Sequence, residues 1–372
     1  MRDAAALAAC RIRALGLVCG QSARGGPHGP RRGRAQGVCR REETISYATQ
    51  HIDRVLDTLS SGSAAAHSRL AASWQRSARA HGLDPARPEG GQSVEARELR
   101  HRREALGAFL GVAAPRLDSL FGLIGHSGCG VLLTDAEGVV LEQRCSDGDA
   151  EVFKRWGLWA GADWSEAAEG TNGIGTCLAE NRQVTIHRDQ HFLARNIGMS
   201  CMDAPIYGPD GALIAALDVS SARADQTESF NCLIAAIVAQ TAHQIEAAAF
   251  RAAFEGRRIV VADGGTGGNG PAALLAVDDD DIVVGATRAA RRSFGLAISG
   301  GFNPLPANDL LNGDAGAGGF ERAERAAVTR ALARAGGNVS KAARALGIGR
   351  ATLYRRMARL GIAPDGGRLS RN

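Results

Sequence analysis

The sequence NVSKAARALGIGRATLYRRMARLGI, from Asn338 to Ile362, has the pattern of two helices joined by a tight turn. The turn is Gly347-Ile348-Gly349, and it predicts a sharp reversal because glycine adopts backbone angles that other residues avoid. In the second helix, apolar residues recur at helical spacing, at Leu353, Met357 and Leu360. This spacing turns one apolar stripe toward a core and leaves the arginines on the other side. The stretch therefore predicts a helix-turn-helix, a motif that suits the major groove of DNA.

A further helix is predicted just before this motif. Glu321 to Ala335 carries alanine, valine and leucine on one face and ends at Gly336-Gly337. Ser340 is predicted to cap the first helix of the motif. Over about forty residues without a gap, the region resembles the helix-turn-helix of the Fis family, which ends many bacterial enhancer-binding regulators. The resemblance implies double-stranded DNA as a partner, with the module at residues 320–363 and a disordered tail at 364–372.

The resemblance also implies a contact for individual side chains. Three residues are expected to face base edges: Arg350, Thr352 and Arg355. Four residues are expected to face phosphates: Asn338, Ser340, Arg356 and Arg359. Gly349 stands where the family usually has a polar residue, so that contact is expected to be absent. Two alternatives remain: a solvated amphipathic helix pair, and a basic tail that binds a protein or RNA without sequence preference.

The charge is distributed unevenly along the 372 residues, although the net charge is only +5. From Phe320 to the end there are twelve Lys or Arg and three Asp or Glu. From Pro115 to Phe254 there are nine Lys or Arg and eighteen Asp or Glu. A basic terminal module on an acidic body indicates one part that faces nucleic acid and one that does not.

Cysteine usage and hydropathy exclude several classes of protein. The eight cysteines form no CxxC pair, which indicates neither a disulfide framework nor a zinc ribbon. They are expected to be reduced thiols in a cytoplasmic protein. No apolar run approaches ~20 residues, so no membrane span is predicted.

Residues 1–43 are expected to be a disordered extension. They contain an Ala/Leu-rich stretch, broken by Arg11 and Arg13, and then a Gly/Pro/Arg-rich stretch.

Residues 44–114 are predicted to form a helical region that packs on the next domain. The predicted helices cover residues 45–59, 68–83 and 94–109. Trp74 is expected to be a core anchor. The phrase SWQRSARAHGLDP, from Ser73 to Pro85, resembles regulators of the acetoin-catabolism type.

Residues 115–254 are predicted to form an α+β domain. The pattern gives a helix, a hairpin, a short helix, a strand, a second hairpin and a long helix, at residues 116–124, 130–134 with 138–143, 171–180, 183–187, 204–207 with 212–219, and 228–254. Thr171 or Asn172 can cap the short helix. This order describes an antiparallel sheet flanked by helices.

This central domain resembles the GAF family of small-molecule sensors. The run GADWSEAAEGTNGIGTCLAENRQVTIH, from Gly161 to His187, is similar to the GAF domain of the acetoin-regulator type. The resemblance implies an effector held between the sheet and its covering loops, in an apolar pocket with a few polar groups. The residues expected to contact it are Trp159, Trp164, Thr171, Asn172, Cys177, His187, His191 and Cys201.

These eight residues also have structural interpretations. Asn172 can simply shape the turn into the helix, and buried cysteines are small apolar fillers by default. A redox or metal role for the cysteines and histidines is the minority hypothesis, since their spacing fits no standard zinc site. A cysteine-dependent reductase is the alternative enzyme, but a nucleophilic thiol needs a lowered pKa and a resolving partner, which the sequence does not indicate.

Residues 255–319 are predicted to be a linker with a PAS-like remnant. The glycines at 264–268 are followed by no Gly-Lys-Ser/Thr, so they would hold no nucleotide. The run ALLAVDDDDIVVGATRAARRSFGL predicts a strand, an acidic turn at Asp278–Asp281, a strand and a short helix, which resembles the opening of a PAS domain. The last part, Asn312 to Gly319, is expected to be a Gly/Ala/Asp linker.

Sigma-54-dependent regulators of the acetoin type usually carry an AAA+ ATPase between sensor and helix-turn-helix, and this segment is too short for one. We therefore expect no enzyme activity and no cofactor. The chain is predicted to bind DNA as a homodimer at an inverted repeat, and to act by occupancy or by recruiting RNA polymerase or another regulator.

Overall fold

The computed structural model describes residues 33–362, except residues 89, 222, 224–226, 263–269 and 313–318. The side chains of residues 33–46, 308, 312, 319 and 322 are also outside the description. The glycine cluster at 264–268, the predicted tail at 364–372 and most of the predicted N-terminal extension therefore lie outside the described residues.

The region before the central domain is helical, as predicted. Its helices are α1 (Gly33–Ser60), α2 (Ala64–His67), α3 (Arg69–Gln75) and α4 (Ala96–Ala105). Helix α3 begins where the Ser68 side chain accepts a hydrogen bond from the Ala71 amide at 3.3 Å, and it continues into one wider helical turn at Arg76–Ala80.

This helical region packs on the central domain through an apolar cluster. Val55 and Trp74 lie against Phe192 and Leu193 of the domain, and all four are buried. The Trp74 Nε1 donates a hydrogen bond to the Gln190 carbonyl oxygen at 2.9 Å. The prediction that Trp74 is a core anchor is confirmed.

Helix α5 (Gly107–Ile124) is longer than predicted. The expected start near Arg116 was wrong, because Pro115 lies inside the helix rather than at its beginning. Proline has no amide hydrogen for the carbonyl of Gly111, one turn earlier, but Gly111 is exposed, so water can satisfy that oxygen.

The central domain is an antiparallel sheet between two helical layers. Its further elements are β1 (Cys129–Thr134), β2 (Val140–Arg144), α6 (Ala150–Arg155), α7 (Glu166–Glu169), α8 (Gly173–Glu180), β3 (Val184–His187), β4 (Ser200–Tyr207), β5 (Leu213–Ser221) and α9 (Glu228–Ala253). Within the described residues the strand order is β2-β1-β5-β4-β3, with every neighbouring pair antiparallel. The predicted α+β class is confirmed.

Alternating side chains of the strands divide the interior into two clusters. On one face, Met202, Leu217 and Val219 contact the buried sides of α5 and α9. On the other face, Cys201 and Ala216 lie with the apolar side of α8 and the loop before it. The second face is the layer in which the sequence places an effector.

Two helices of the described chain are long and apolar enough to cross a membrane by length and composition, at Gly107–Ser127 and Glu228–Ala253. The prediction of no such segment did not anticipate them. Both helices bury one side, for example Leu117 of α5 and Val238 of α9, against the sheet and each other. This one-sided burial is the pattern of helices that cover a sheet.

The segment after α9 is folded, and it is more than the predicted linker. Its elements are β6 (Arg258–Val261), β7 (Leu274–Val277), β8 (Ile282–Ala286), α10 (Arg288–Ser293), β9 (Leu305–Pro306) and α11 (Ala307–Asn312). In the described part of the segment the strands form a sheet in the order β6-β7-β8-β9, with an apolar cluster of its own. The predicted strand, acidic turn, strand and helix are all present, and the Asp278 carboxylate closes the turn by accepting from the amides of Asp280 and Ile282.

The described C-terminal residues form helices α12 (Gly319–Arg334), α13 (Val339–Ala345) and α14 (Arg350–Leu360). The turn between α13 and α14 contains Gly347 at φ 66°, and α14 ends at Gly361 at φ 64°. Both values lie in the left-handed region that favours glycine.

Candidate nucleic-acid interface and sensor site

The terminal helices are held by one compact apolar cluster. Its buried members are Val328, Ala331, Leu332, Val339, Ala342, Ala343, Leu353, Met357, Leu360 and Ile362. The predicted stripe of α14 is therefore the face that packs against α12 and α13, and the arginine-rich side is left outside.

The cap of helix α13 differs from the prediction. Asn338 is the capping residue, because its Oδ1 accepts a hydrogen bond from the Lys341 amide at 3.0 Å. Ser340 lies two residues too late for this role, inside the helix and exposed. The prediction of Ser340 as the cap was wrong, since asparagine caps as well as serine and stands at the position where the backbone is still extended.

Of the side chains predicted to contact base edges, Arg355 lies opposite the apolar stripe of α14, Thr352 lies on its flank, and Arg350 lies in the first turn of the helix. Arg350 and Arg355 are exposed and Thr352 is half-buried. The Arg350 guanidinium lies over the ring of exposed Tyr354, 5.6 Å from its centroid. Because Arg350 is in the first turn of the helix and Arg355 in the middle, the two guanidiniums can reach successive positions along a groove.

The two arginines predicted to contact phosphates form ion pairs within the module. Arg359 Nη2 donates to Glu324 Oε2, and Arg356 Nη1 lies 3.3 Å from Glu324 Oε1. Glu324 belongs to α12 and is only 9% exposed. One carboxylate thus neutralises part of the positive charge on the last turns of α14.

Two exposed cations on α13 were not among the predicted contacts. Lys341 and Arg344 both point away from the buried Ala342 and Ala343. The signal was present in the sequence, because both basic residues fall outside the apolar stripe of the first helix.

In the central domain, the structure places a buried polar cluster at the predicted sensor layer. Asp203 of β4 and Asp218 of β5 are direct cross-strand partners and are both 0% exposed. Ser220 Oγ donates to Asp218 Oδ2 at 2.8 Å and also lies 3.2 Å from Cys201 Sγ. Among the described residues, Asp218 Oδ1 and both Asp203 oxygens have no partner outside the pair.

The two carboxyl groups cannot both ionise in this environment. Burial raises the pKa of Asp218 to about 7. Burial and the neighbouring Asp218 raise the pKa of Asp203 well above its ordinary value. At neutral pH at least one proton is therefore held between the two strands. The sequence prediction missed both residues, although a lone aspartate in an otherwise apolar strand is a signal for them.

The approach of helix α8 to this pair requires a glycine. A Cβ on Gly173 would lie 2.0 Å from Asp203 Oδ2 and 2.5 Å from Cys201 Cβ. The first turn of α8 thus lies directly over the two strands, and any larger residue at position 173 would push it away.

The eight predicted effector contacts fall into two groups. Cys177 and Cys201 lie beside the aspartate pair, and His191 Nε2 lies 3.5 Å from Cys201 Sγ. Trp164 is buried in the same layer, and its Nε1 donates to the Gly157 carbonyl oxygen at 2.7 Å. These four residues are the ones that the structure brings together.

The other four predicted contacts form hydrogen bonds that stabilise the local structure, or lie nearer the protein surface. Asn172 caps α8 by accepting from the Gly175 amide at 2.8 Å. Thr171 bonds to Ser73 and lines a cavity of about 130 Å³ between the helical region and β3. His187 bonds to Ser200 and is half-buried, while Trp159 is 36% exposed at the rim.

The chemistry of the thiols does not favour catalysis. Burial raises the pKa of Cys177 and of Cys201 well above the ordinary value, and the aspartate pair adds to both shifts. A thiol in this environment stays protonated and is a poor nucleophile. In the part of the chain that the structure describes, no group of three His, Cys, Asp or Glu residues could hold a metal ion.

Comparison with known families agrees with both modules. Residues 110–249 match the model of the GAF domain, and residues 319–360 match that of the bacterial regulatory protein, Fis family. The chain carries a GAF domain and a Fis-type helix-turn-helix. Neither match extends over the small sheet of β6 to β9 between them.

Several curated proteins are similar to this chain. The acetoin catabolism regulatory protein of Cupriavidus necator is 35% identical over 178 residues, which are 48% of this chain and 27% of that protein. The acetoin dehydrogenase operon transcriptional activator AcoR of Bacillus subtilis is 34% identical over 155 residues, 41% of this chain and 25% of that protein. The chain thus spans about a quarter of the length of the curated relatives it matches.

Among solved structures, the E. coli DhaR(N)–DhaL complex is similar over 62% of this chain and 76% of that chain. The identity is 14% and the TM-score is 0.44, so this likeness adds nothing to the fold described above.

Proposed function

We propose that this chain is a sequence-specific DNA-binding transcriptional regulator whose GAF domain senses a small molecule. The observation that carries the proposal is that Arg350 and Arg355 are both exposed on α14, a helix packed against α12 and α13 by its apolar stripe. The relatives named above are regulators or activators of transcription, which supports the same role. Acting on the chromosome places the chain in the bacterial cytoplasm.

In this proposal α14 enters the major groove of DNA. Arg350, Thr352 and Arg355 contact base edges, and a good bidentate arginine contact contributes roughly 1–3 kcal/mol of discrimination. The helix-turn-helix is expected to act as a homodimer, so that its site is an inverted repeat.

The phosphate contacts are distributed differently from the expectation based on the family. Asn338 and Ser340 remain candidates at the start of α13, joined by Lys341 and Arg344. Arg356 and Arg359 contribute less to affinity in this scheme, because Glu324 already pairs with both of them. These cationic contacts make binding sensitive to salt.

The sensing step is assigned to the GAF layer between the sheet and α8. The contacts proposed for the effector are Trp159, Trp164, Thr171, Asn172, Cys177, His187, His191 and Cys201, with Asp203 and Asp218 as further polar groups. An effector acts only if it binds one arrangement of the domain better than another. Entry of a polar molecule beside the buried aspartates would displace α8 from the strands, and that movement is the proposed signal.

The mode of action follows from what lies between the two modules. Residues 254–318 separate α9 from α12, and their described part forms the small sheet of β6 to β9. An AAA+ ATPase needs several times this length. The chain is therefore proposed to work by occupying DNA or by recruiting RNA polymerase or another regulator, without ATP hydrolysis.

The test is selection of random duplex DNA on the purified full chain. Arg355→Ala is compared with Arg251→Ala, which removes the same charge from an exposed position on α9. Wild type and Arg251→Ala should enrich one inverted-repeat motif, and Arg355→Ala should fail to recover it. Weak, motif-free binding that is equal in all three proteins would leave only a basic tail and defeat the proposal.

A further inference from the structure

A cavity of about 440 Å³ lies between the GAF domain and the small sheet that follows it. The GAF side of the cavity is formed by Asn181, Arg182, Gln183, Ala204, Pro205, Tyr207, Ala239, His243 and Glu246. The other side is formed by Pro271, Ala273, Arg288, Ala289, Arg292 and Ser293. A volume of this size is in the range of small-molecule sites, roughly 300–1,000 Å³.

The two units that enclose the cavity are joined by specific contacts. Phe250 of α9 packs with Leu274 and Ala276 of β7 in one buried cluster. The Phe254 ring lies where a Cβ on Gly285 would stand, at 2.2 Å, so this contact depends on the glycine. Such close fitting holds the cavity walls at a defined separation.

Backbone hydrogen bonds reinforce the same junction. The Gly300 amide donates to the Asp210 carbonyl oxygen at 3.0 Å, and Arg288 Nη1 donates to the Gly211 carbonyl oxygen at 2.9 Å. The Arg288 guanidinium also lies over the Tyr207 ring, 4.2 Å from its centroid. Arg288 is a residue of α10, and its side chain is anchored by two partners on the GAF domain.

Among the described residues, the anchored Arg288 has no carboxylate partner, so its positive charge remains at the cavity wall. Its Nε is buried and has no hydrogen-bond partner among the described residues. Arg292, one turn later on the same helix, is exposed at the rim and makes no ion pair in the described part of the chain. Two guanidiniums on one face of α10 thus point a positive potential into the cavity.

The carboxyl group of the cavity, Glu246, opposes this positive potential only in part near neutral pH. Burial raises the pKa of Glu246 to about 7, while its hydrogen bond from the Tyr207 amide and the two arginines act the other way. Burial lowers the pKa of His243, so that imidazole is neutral at physiological pH. Arg182 is already paired with Glu180 at 2.5 Å.

We propose that this cavity binds a small organic carboxylate, with its carboxylate on the Arg292 guanidinium, beside the positive charge of Arg288, and its apolar body against Ala204, Ala239 and Ala289. The planar edge of a guanidinium matches two carboxylate oxygens. The mostly apolar remainder of the wall favours a ligand with a hydrocarbon part over a bare inorganic anion.

The position of the cavity gives the ligand a mechanical effect. Its walls come from both units, so the ligand binds only when the small sheet is docked on the GAF domain, and it stabilises that arrangement. The small sheet precedes the helix-turn-helix in the chain. The consequence for DNA binding rests on the proposed function above, whereas ligand binding does not.

The experiment is isothermal titration of the full chain with benzoate, with its uncharged amide benzamide, and with inorganic phosphate. Benzoate should bind, and benzamide and phosphate should bind at least roughly tenfold more weakly, since each lacks either the charge or the apolar body. Arg292→Ala and Arg288→Gln should weaken benzoate by a similar factor. The matched control Arg251→Ala, exposed on α9 outside the cavity, should bind like wild type.

Two outcomes overturn the inference. One is equal binding of benzoate and benzamide, and the other is unchanged benzoate affinity in Arg292→Ala. Because the Arg292 side chain is exposed, this variant is expected to fold like the wild type. Acetate and hexanoate are titrated as two further carboxylates. If neither they nor benzoate give a heat of binding, the inference is also overturned.

Failure of this inference and failure of the proposed function are distinguishable. The titration contains no DNA, so Arg355→Ala should bind benzoate normally even though it loses its DNA motif. Conversely, a chain that selects a DNA motif but binds none of these carboxylates would retain the proposed function and lose only the cavity assignment.

Discussion

The buried aspartate pair makes the stability of the GAF domain depend on pH in an unusual direction. Unfolded aspartate has a pKa of 3.8, whereas burial raises that of folded Asp218 to about 7. Between these values the folded state holds a proton that the unfolded state has released. Raising the pH therefore disfavours folding. This contribution to stability is fully present below pH 3.8 and is lost as the pH rises to about 7.

Replacing Asp218 with asparagine should remove this dependence. Asparagine does not ionise, it can still accept the hydrogen bond from Ser220, and its oxygen can accept the proton of Asp203. One pKa unit corresponds to about 1.4 kcal/mol. Between pH 5 and the folded pKa of about 7 lie about two such units. The free energy of unfolding of the wild type should therefore fall by about 3 kcal/mol between pH 5 and pH 8, and that of the variant should not.

The assay is urea unfolding of the full chain at pH 5 and pH 8, followed by tryptophan fluorescence. All four tryptophans lie in the helical region and the GAF domain, so the signal reports on that part. Titrating groups outside the aspartate pair cancel in the difference between the wild type and Asp218→Asn. The control is Asp53→Asn, at an exposed position of α1. If Asp218→Asn and wild type lost equal stability between the two pH values, the reasoning on the buried pair would be wrong.

Three further predictions concern the terminal module and the thiols. Asn338→Ala should lower the stability of the helix-turn-helix by about 1 kcal/mol, measured by thermal melting in circular dichroism, and Ser340→Ala should not; the reverse order would return the cap to the serine. Glu324→Gln should release its two arginine partners and steepen the salt dependence of DNA binding by up to about 0.9 in slope for each new phosphate contact; an unchanged slope in a folded variant would contradict this. In native protein a thiol reagent should modify exposed Cys232 at once and buried Cys201 only after unfolding, and rapid labelling of Cys201 would count against its burial.

Much of the fold follows from local signals. The predicted order of helices and hairpins in the central domain is present, because alternation in strands and glycine-containing turns such as Gly208–Gly211 act over a few residues. Helix ends were less predictable. The helix predicted at residues 116–124 in fact begins at Gly107, and Pro115 lies inside α5, where solvent can satisfy the freed carbonyl.

The candidate sites were harder to predict than the fold. The outer side of α14 follows from the spacing of its apolar stripe alone. The pairing of Glu324 with Arg359 does not, since the two residues are 35 positions apart and meet only when α12 packs on α14. The aspartate pair likewise depends on strand register, which brings Asp203 opposite Asp218.

The sequence by itself determined the two modules: a helix-turn-helix specified by glycines and an apolar stripe, and an antiparallel sheet specified by alternation and turns. Both depend on interactions between residues close in the chain. Only the tertiary structure decided which charges are paired, which carboxyls are kept protonated, and that a cavity with two arginines opens between α9 and α10. Those properties depend on burial and on distances between residues far apart in sequence, because solvation and electrostatic interaction are set in space.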